Sequence, residues 1–273
     1  MLKNSEICFT RAVEPFEFEG AFRCVYRSYH RRGLVKCTRP QQLRLIRHHL
    51  LPETRVFIAR VDKKVLGTLS LIEDRPLGVP LRAVFNRQAD AIASVEPSFA
   101  EAGCLAIDDA SSSSGLYIVH HLMGMAAQAA ARRGIARILI AVHPRHASFY
   151  ERMAGFQRFA GPTPYPSVEG SPAVGLQLNI ATLHADFPKV WRRYFGMTFS
   201  KSALSTRLAT PLFLQRMARL WQSLQSHEED AVPLTPRRQR ISAESRAGSL
   251  ASRFEEETIA RNDFADHAEY SVN

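Results

Sequence analysis

Several classes of protein are excluded by what this chain lacks. Its four cysteines, Cys8, Cys24, Cys37 and Cys104, are scattered over 273 residues with no C-x-x-C pair. That spacing indicates neither a metal site nor a disulfide framework, and it fits a reducing, cytoplasmic compartment. No uninterrupted apolar run approaches the roughly 18 residues of a membrane-spanning helix. The first twenty residues carry acids and no signal-peptide core. There is no internal repeat. Acidic residues are missing altogether between Pro188 and Gln225, where Lys189, Arg192, Arg193, Lys201, Arg207, Arg216 and Arg219 occur. The segment from Asp108 to Gly115, DDASSSSG, has one glycine and no arginine, so it lacks the basic, glycine-rich character of a loop that grips a pyrophosphate.

What is present suffices for a large core, since 45% of the residues are apolar. The formal net charge of +10 favours acidic partners. The Arg237, Arg238, Arg240 cluster has no interleaved aromatics, so no nucleic-acid partner is expected.

The spacing of apolar residues predicts a first helix near Ala21 to Arg32, with Phe22, Val25, Tyr26 and Tyr29 on one face. A second helix is expected from Gln41 to Leu50 after Pro40, with Leu43, Ile46 and Leu50 inward. A hairpin follows, Val56–Val61 and Val65–Ile72 around Asp62–Lys64. Glu73 to Pro80 reads as loop and Leu81 to Val95 as helix. Ala100 to Ile107 reads as a strand whose internal glycine suggests a bulge or a close approach. A polar connection leads to a helix over Leu116–Arg133, and Ile138–Val142 reads as a strand covered on both faces. Pro144 suits the first turn of a short helix ending near Met153. Gly161–Pro172, with four prolines, is expected to be loop before a last strand over Ala173–Leu183. Beyond it, Phe213, Met217, Leu220, Trp221 and Leu224 form an apolar stripe on a basic helix. That stripe offers either a peripheral contact with anionic membrane through residues 188–225 or packing on the protein's own core. After Ser226 the composition predicts disorder. Three regions result: residues 1–184 as one domain, 185–225 as a basic helical extension and 226–273 as a polar tail. The fold class is α/β, with a mixed, mostly antiparallel sheet flanked by helices.

The run Phe149, Tyr150, Glu151, Arg152 followed by Gly155 and Phe156 resembles the F-Y-E-R/K-x-x-G-F signature of GNAT acyltransferases. Four segments, Phe22–Val35, Val56–Leu81, Ala100–Asp108 and Ala141–Phe156, further resemble the long-chain N-acyl amino acid synthases. Those are GNAT-related enzymes close to the acyl-homoserine-lactone autoinducer synthases. The resemblance spans roughly residues 20 to 182, with Pro164–Leu178 adding support. It implies transfer of a fatty acyl group from the phosphopantetheine of acyl carrier protein to the α-amine of an amino acid, with no bound cofactor and no metal. It also implies two neighbouring parallel strands, those of Cys104 and Ile138, parted to admit the donor arm.

The resemblance assigns roles residue by residue. Glu101 matches the family glutamate and is the candidate base, because amide formation needs a neutral amine. Tyr150 holds the position whose phenol protonates the departing sulfur, and His143 the position beside pantetheine. Arg23 and Tyr26 match an R-x-x-V-F element and, with Tyr29, Cys104, Arg145 and His146, are expected to bind substrate. Cys104 stands where the family carries arginine. Arg132, Arg133, Arg137 and Arg152, with Arg145 and Arg158 near them, are expected to draw in the acidic carrier. Two other readings compete: a CoA-dependent N-acetyltransferase, and a degenerate GNAT module that binds lipid or carrier without turnover.

Overall fold

The computed structural model describes residues 6–36, 41–75, 77–96, 98–108 and 114–229. The expectations for Pro40, for residues 109–113 and for the tail beyond Glu229 lie outside the described residues. Seven strands form one sheet, in the order β1-β2-β3-β4-β5-β7-β6. They are β1 (Cys8–Arg11), β2 (Arg55–Val61), β3 (Lys64–Glu73), β4 (Phe99–Ile107), β5 (Arg137–Val142), β6 (Gln157–Pro164) and β7 (Pro172–Asn179). Among the described residues only the β4–β5 pair is parallel. The described residues also form the α-helices α1 (Pro15–Arg31), α2 (Arg82–Val95), α3 (Gly115–Arg132), α4 (Pro144–Met153), α5 (Leu183–Asp186), α6 (Pro188–Phe195) and α7 (Pro211–Glu229). The sheet is mixed and mostly antiparallel with helices around it, as the order of elements predicts. No described helix is long and apolar enough to cross a membrane.

The strand alternation decides which helices cover which face. Phe57 and Ala59 of β2 pack with Leu122, Met125 and Ala126 of α3, with Tyr150 of α4 and with Tyr194 of α6. Val56 and Ile58, pointing the other way, pack with Phe22 and Val25 of α1 and Met217 and Leu224 of α7. Along β5, Ile138 and Ile140 join the α3 side while Leu139 joins Phe85 and Ala89 of α2. Both faces of β5 are therefore covered, as its unbroken apolar run requires. Gly67 of β3 lets α3 sit close: a Cβ there would stand 2.6 Å from Ile118 Cγ2 and 2.9 Å from Ile107 Cδ1. Gly67→Ala should therefore cost about 1–3 kcal/mol, read as a lower denaturation midpoint, because a packed interface yields poorly to an added methyl.

Several expected elements differ. The first helix begins at Pro15, six residues early, because Glu17 folds back to accept the Val13 and Glu14 N–H groups at 2.8 and 3.0 Å. The helix expected over Gln41–Leu50 is absent. Residues 42–46 form no regular element, with Gln42 left-handed at φ 52° and Leu43 and Leu45 buried, and only Arg47–Leu50 forms a 3₁₀ turn. A period of two, not 3.6, fits that burial. The expected proline-rich loop overlaps the second half of β6, Gly161–Pro164, which pairs with β7. It is an edge strand, where prolines leave no ladder bond unmade on the open side. The last strand ends at Asn179 rather than Leu183. The apolar stripe of α7 turns inward, with Met217 and Leu224 buried against α1, so packing on the chain's own core uses it.

Candidate active site

β4 and β5 pair only from Phe99 to Glu101 against Arg137 to Leu139. Beyond that point β5 continues along β7, while β4 bulges and leaves it. Ser70 lies opposite Gly103 and Thr68 opposite Ala106, so the β4 chain holds one residue more than β3 across that interval. Cys104 takes the strained conformation at φ 52°, not the adjacent Gly103. Gly103 serves a different purpose, since a Cβ there would stand 3.3 Å from Glu101 Oε1.

The parting opens a cavity of about 1030 Å³. That is at the upper end of small-molecule sites, about 300–1,000 Å³, and leaves room for two reactants. Glu101, Cys104, Tyr150 and Tyr29 line it. His143, Arg145 and His146 lie on the same wall, His143 and Arg145 exposed at its edge.

Glu101 is 4% exposed. Its Oε2 accepts the Leu81 N–H at 2.6 Å, so the start of α2 fixes the carboxyl. Burial pushes its pKa up from 4.5 to about 8, against the smaller opposing effect of that N–H. A carboxyl in that range exchanges protons near neutrality, as a general base must. Burial likewise raises the Tyr150 phenol, which stays protonated and able to donate. His143 caps α4: its Nδ1 accepts the Arg145 N–H at 3.2 Å, which leaves the neutral ring's proton on Nε2. Burial and the Arg145 charge lower its pKa. Cys104 is raised to about 11 by burial, so it is a neutral thiol and not a nucleophile.

The structure does not bring the remaining expected residues here. Arg23 turns from the cavity and donates to Glu19 at 2.6 Å, one turn back on α1. Tyr26 is buried and stacks on His30. The part of α1 that meets the cavity is its last turn, at Ser28 and Tyr29, followed by Arg32. Arg132, Arg133 and Arg137 sit where β5 begins, at the end of the sheet away from the parting, so they do not flank its mouth. Arg133 is bound to Glu73 at 2.7 and 2.8 Å, and Arg137 donates to Gln177 at 2.8 Å. Arg152 is exposed at the far end of α4 and Arg158 pairs with Glu151 at 3.0 Å.

Three lining residues carried no signal as functional in isolation: Arg44, Tyr165 and Trp221. Arg44 lies between Leu43 and Leu45, and reading that alternation as a strand would have turned it toward the opposite side. Tyr165 follows β6, and Trp221 belongs to the α7 stripe.

The comparisons with known proteins agree with this architecture. Residues 20–179, more than half of the chain, match the family model described as N-acyl amino acid synthase FeeM. The solved structure of FeeM, from uncultured soil microbes, aligns with a TM-score of 0.57 at 21% identity, over 66% of this chain and 93% of FeeM. TofI, solved with an inhibitor and MTA, aligns at 0.54 and 15% identity, over 73% of this chain and 100% of TofI. The AHL synthase LasI aligns at 0.53 and 13% identity, over 71% and 96%. At those identities the structures support the fold. No curated protein sequence matches the chain significantly.

Proposed function

The chain belongs to the N-acyl amino acid synthase FeeM family and is an acyltransferase, and from that premise we propose that it moves a long-chain fatty acyl group from acyl carrier protein to the α-amine of an amino acid. The observation that carries the reading is a buried carboxyl, Glu101, held near pKa 8 where two strands part around a cavity. The choice of a protein-borne donor rests on the segment from Asp108 to Gly115, which has no arginine and one glycine with which to hold the pyrophosphate of free CoA.

In this reading the thioester arm enters between β4 and β5. The substrate ammonium gives one proton to the Glu101 carboxylate. The freed amine attacks the thioester carbonyl, a C–N bond forms, and the C–S bond breaks as the tetrahedral intermediate collapses. The Tyr150 phenol protonates the thiolate, the second amine proton, released on amide formation, restores the phenol through solvent, and Glu101 returns its proton to solvent. His143 at the mouth offers its Nε2–H to the pantetheine arm. Arg145, exposed beside it, is the cation best placed to meet an acidic carrier.

Purified enzyme given acyl carrier protein charged with a fatty acid, fatty acyl-CoA or acetyl-CoA, each with the twenty amino acids, tests this by mass spectrometry. N-acyl amino acid is expected from the carrier-bound donor. Tyr150→Phe should lower kcat about a hundredfold with the donor KM unchanged. Turnover with acetyl-CoA alone would make the protein an N-acetyltransferase, and carrier binding without product would make it a degenerate module.

A further inference from the structure

Arginines reach the cavity from several elements, and most have assigned work. Arg82 is held by Asp74 at 3.0 Å and by Asp90. Arg32 donates to the Ser28 carbonyl at 3.2 Å, and Arg47 and Arg145 are both exposed. Arg44 differs. Among the described residues no carboxylate pairs with it, and its Nε is buried without a hydrogen-bond partner. It is nevertheless held in place. Its backbone N–H donates to the Phe22 carbonyl at 3.1 Å, its Nη2 donates to the Ser167 carbonyl at 2.7 Å, and its guanidinium lies 5.2 Å from the centre of the Tyr29 ring. The groups around it are neutral at pH 7: burial raises the Tyr29 and Tyr165 phenols and the Cys104 thiol, and Arg44 itself opposes each of those rises.

A fixed cation on a half-buried wall, with neutral neighbours and no counter-ion among the described residues, is costly unless a ligand supplies the negative charge. We infer that Arg44 binds the carboxylate of the acceptor amino acid, and that Trp221 of α7 closes the same subsite. The inference rests on the reading of the acceptor as an amino acid and adds the residue that recognises it. A planar guanidinium pairs with a carboxylate through charge-assisted hydrogen bonds, which an uncharged acceptor cannot match. Trp221 lines the cavity from an element that lies beyond residues 20–179, the part matched by the family model. α7 packs against the 3₁₀ turn that follows Arg44 and shares a core cluster with Tyr29, so it also steadies the segment that carries the guanidinium.

The test is binding, so it needs no turnover. Each of the twenty amino acids, its carboxamide and its decarboxylated amine is titrated against the full chain by saturation-transfer NMR and calorimetry. Wild type should bind at least one amino acid at least about tenfold tighter than the matched amide and amine. Arg44→Gln should bring that ratio below twofold. Arg44→Lys, which keeps the charge without the fork, should fall between, with melting temperature and carrier-donor KM near wild type in both. Trp221→Ala should weaken amino acid and amide alike and leave their ratio intact. Wild-type protein that binds the amine as tightly as the acid overturns the inference without any variant. So does an Arg44→Gln protein that keeps the preference. Arg44-dependent binding without transfer from the carrier would uphold this inference and sink the proposed reaction. Product formation from acid and amide at equal rates would do the reverse.

Discussion

Glu101→Gln should lower kcat by at least about a hundredfold and, above pH 8, should make the protein more stable than wild type. Both effects come from one burial. The carboxyl has an ordinary pKa of 4.5 and a folded value of about 8, raised by desolvation. Between those values the unfolded chain has released the proton that the folded chain still holds, so wild-type stability falls as pH rises through this window. The penalty is complete once pH passes the folded value. Glutamine carries no such charge, and its amide oxygen can still accept the Leu81 N–H that Glu101 accepts at 2.6 Å. The melting-temperature difference between variant and wild type should therefore be near zero at pH 4, grow to pH 8 and then level off, by about 2–4 °C for each kcal/mol relieved. Wild-type kcat/KM should rise with pH along an acid limb set by the same group, near pH 8. A variant within tenfold of wild-type activity would remove Glu101 from the base role. A flat melting difference would mean that the carboxyl is not held neutral by burial.

Much of this arrangement is legible in the sequence alone, and each departure from it has a physical cause. The hairpin, β5 and α4 follow from local signals: a polar two-sided turn, an unbroken branched run, and a proline at a helix start. The bulge in β4 was visible in Gly103, although the left-handed residue is Cys104. That residue lies in the interval where β4 holds one residue more than β3, which only the sheet register reveals. Residues 41–50 misled because Leu43, Ile46 and Leu50 fit a helical face by count, whereas Leu43 and Leu45 are the pair the core buries. That error hid Arg44. β6 was hidden by its prolines, which an edge tolerates and an isolated sequence does not distinguish from loop. Arg23 sits on the right helix but on the wrong turn of it. The placement of Arg44 against Tyr29, Ser167 and Cys104 joins four segments, and no local pattern encodes that meeting.

Glu73→Ala should cost about 3–5 kcal/mol, the largest single loss of stability expected in the chain, although Glu73 has no part in the proposed chemistry. The carboxylate is 3% exposed and accepts from Arg55 at 2.8 Å, from Arg75 at 2.8 Å and from Arg133 at 2.7 and 2.8 Å. Arg55 is 1% exposed and would keep its charge with no counter-ion. Burial alone would raise the Glu73 pKa, but Arg133, Arg75 and Arg55 outweigh it and hold the group below 4.5. Its contribution is therefore present above pH 4.5 and is lost as pH falls through the folded value, the opposite sense to Glu101. The same contacts change what a charge reversal at Arg133 would mean. Arg133→Glu places a second carboxylate against Glu73, so it should lower the urea midpoint strongly, and any change in carrier affinity would follow from that. Arg132→Glu, on an exposed neighbour at the end of the sheet away from the cavity, should leave both stability and carrier KM near wild type. Replacing Arg55 and Glu73 together with methionine and leucine should recover part of the single-variant loss, since the two most buried charges leave together while Arg133, 19% exposed, still loses its carboxylate. A Glu73→Ala protein with a wild-type urea midpoint would show that water, not the three arginines, solvates that end of the sheet.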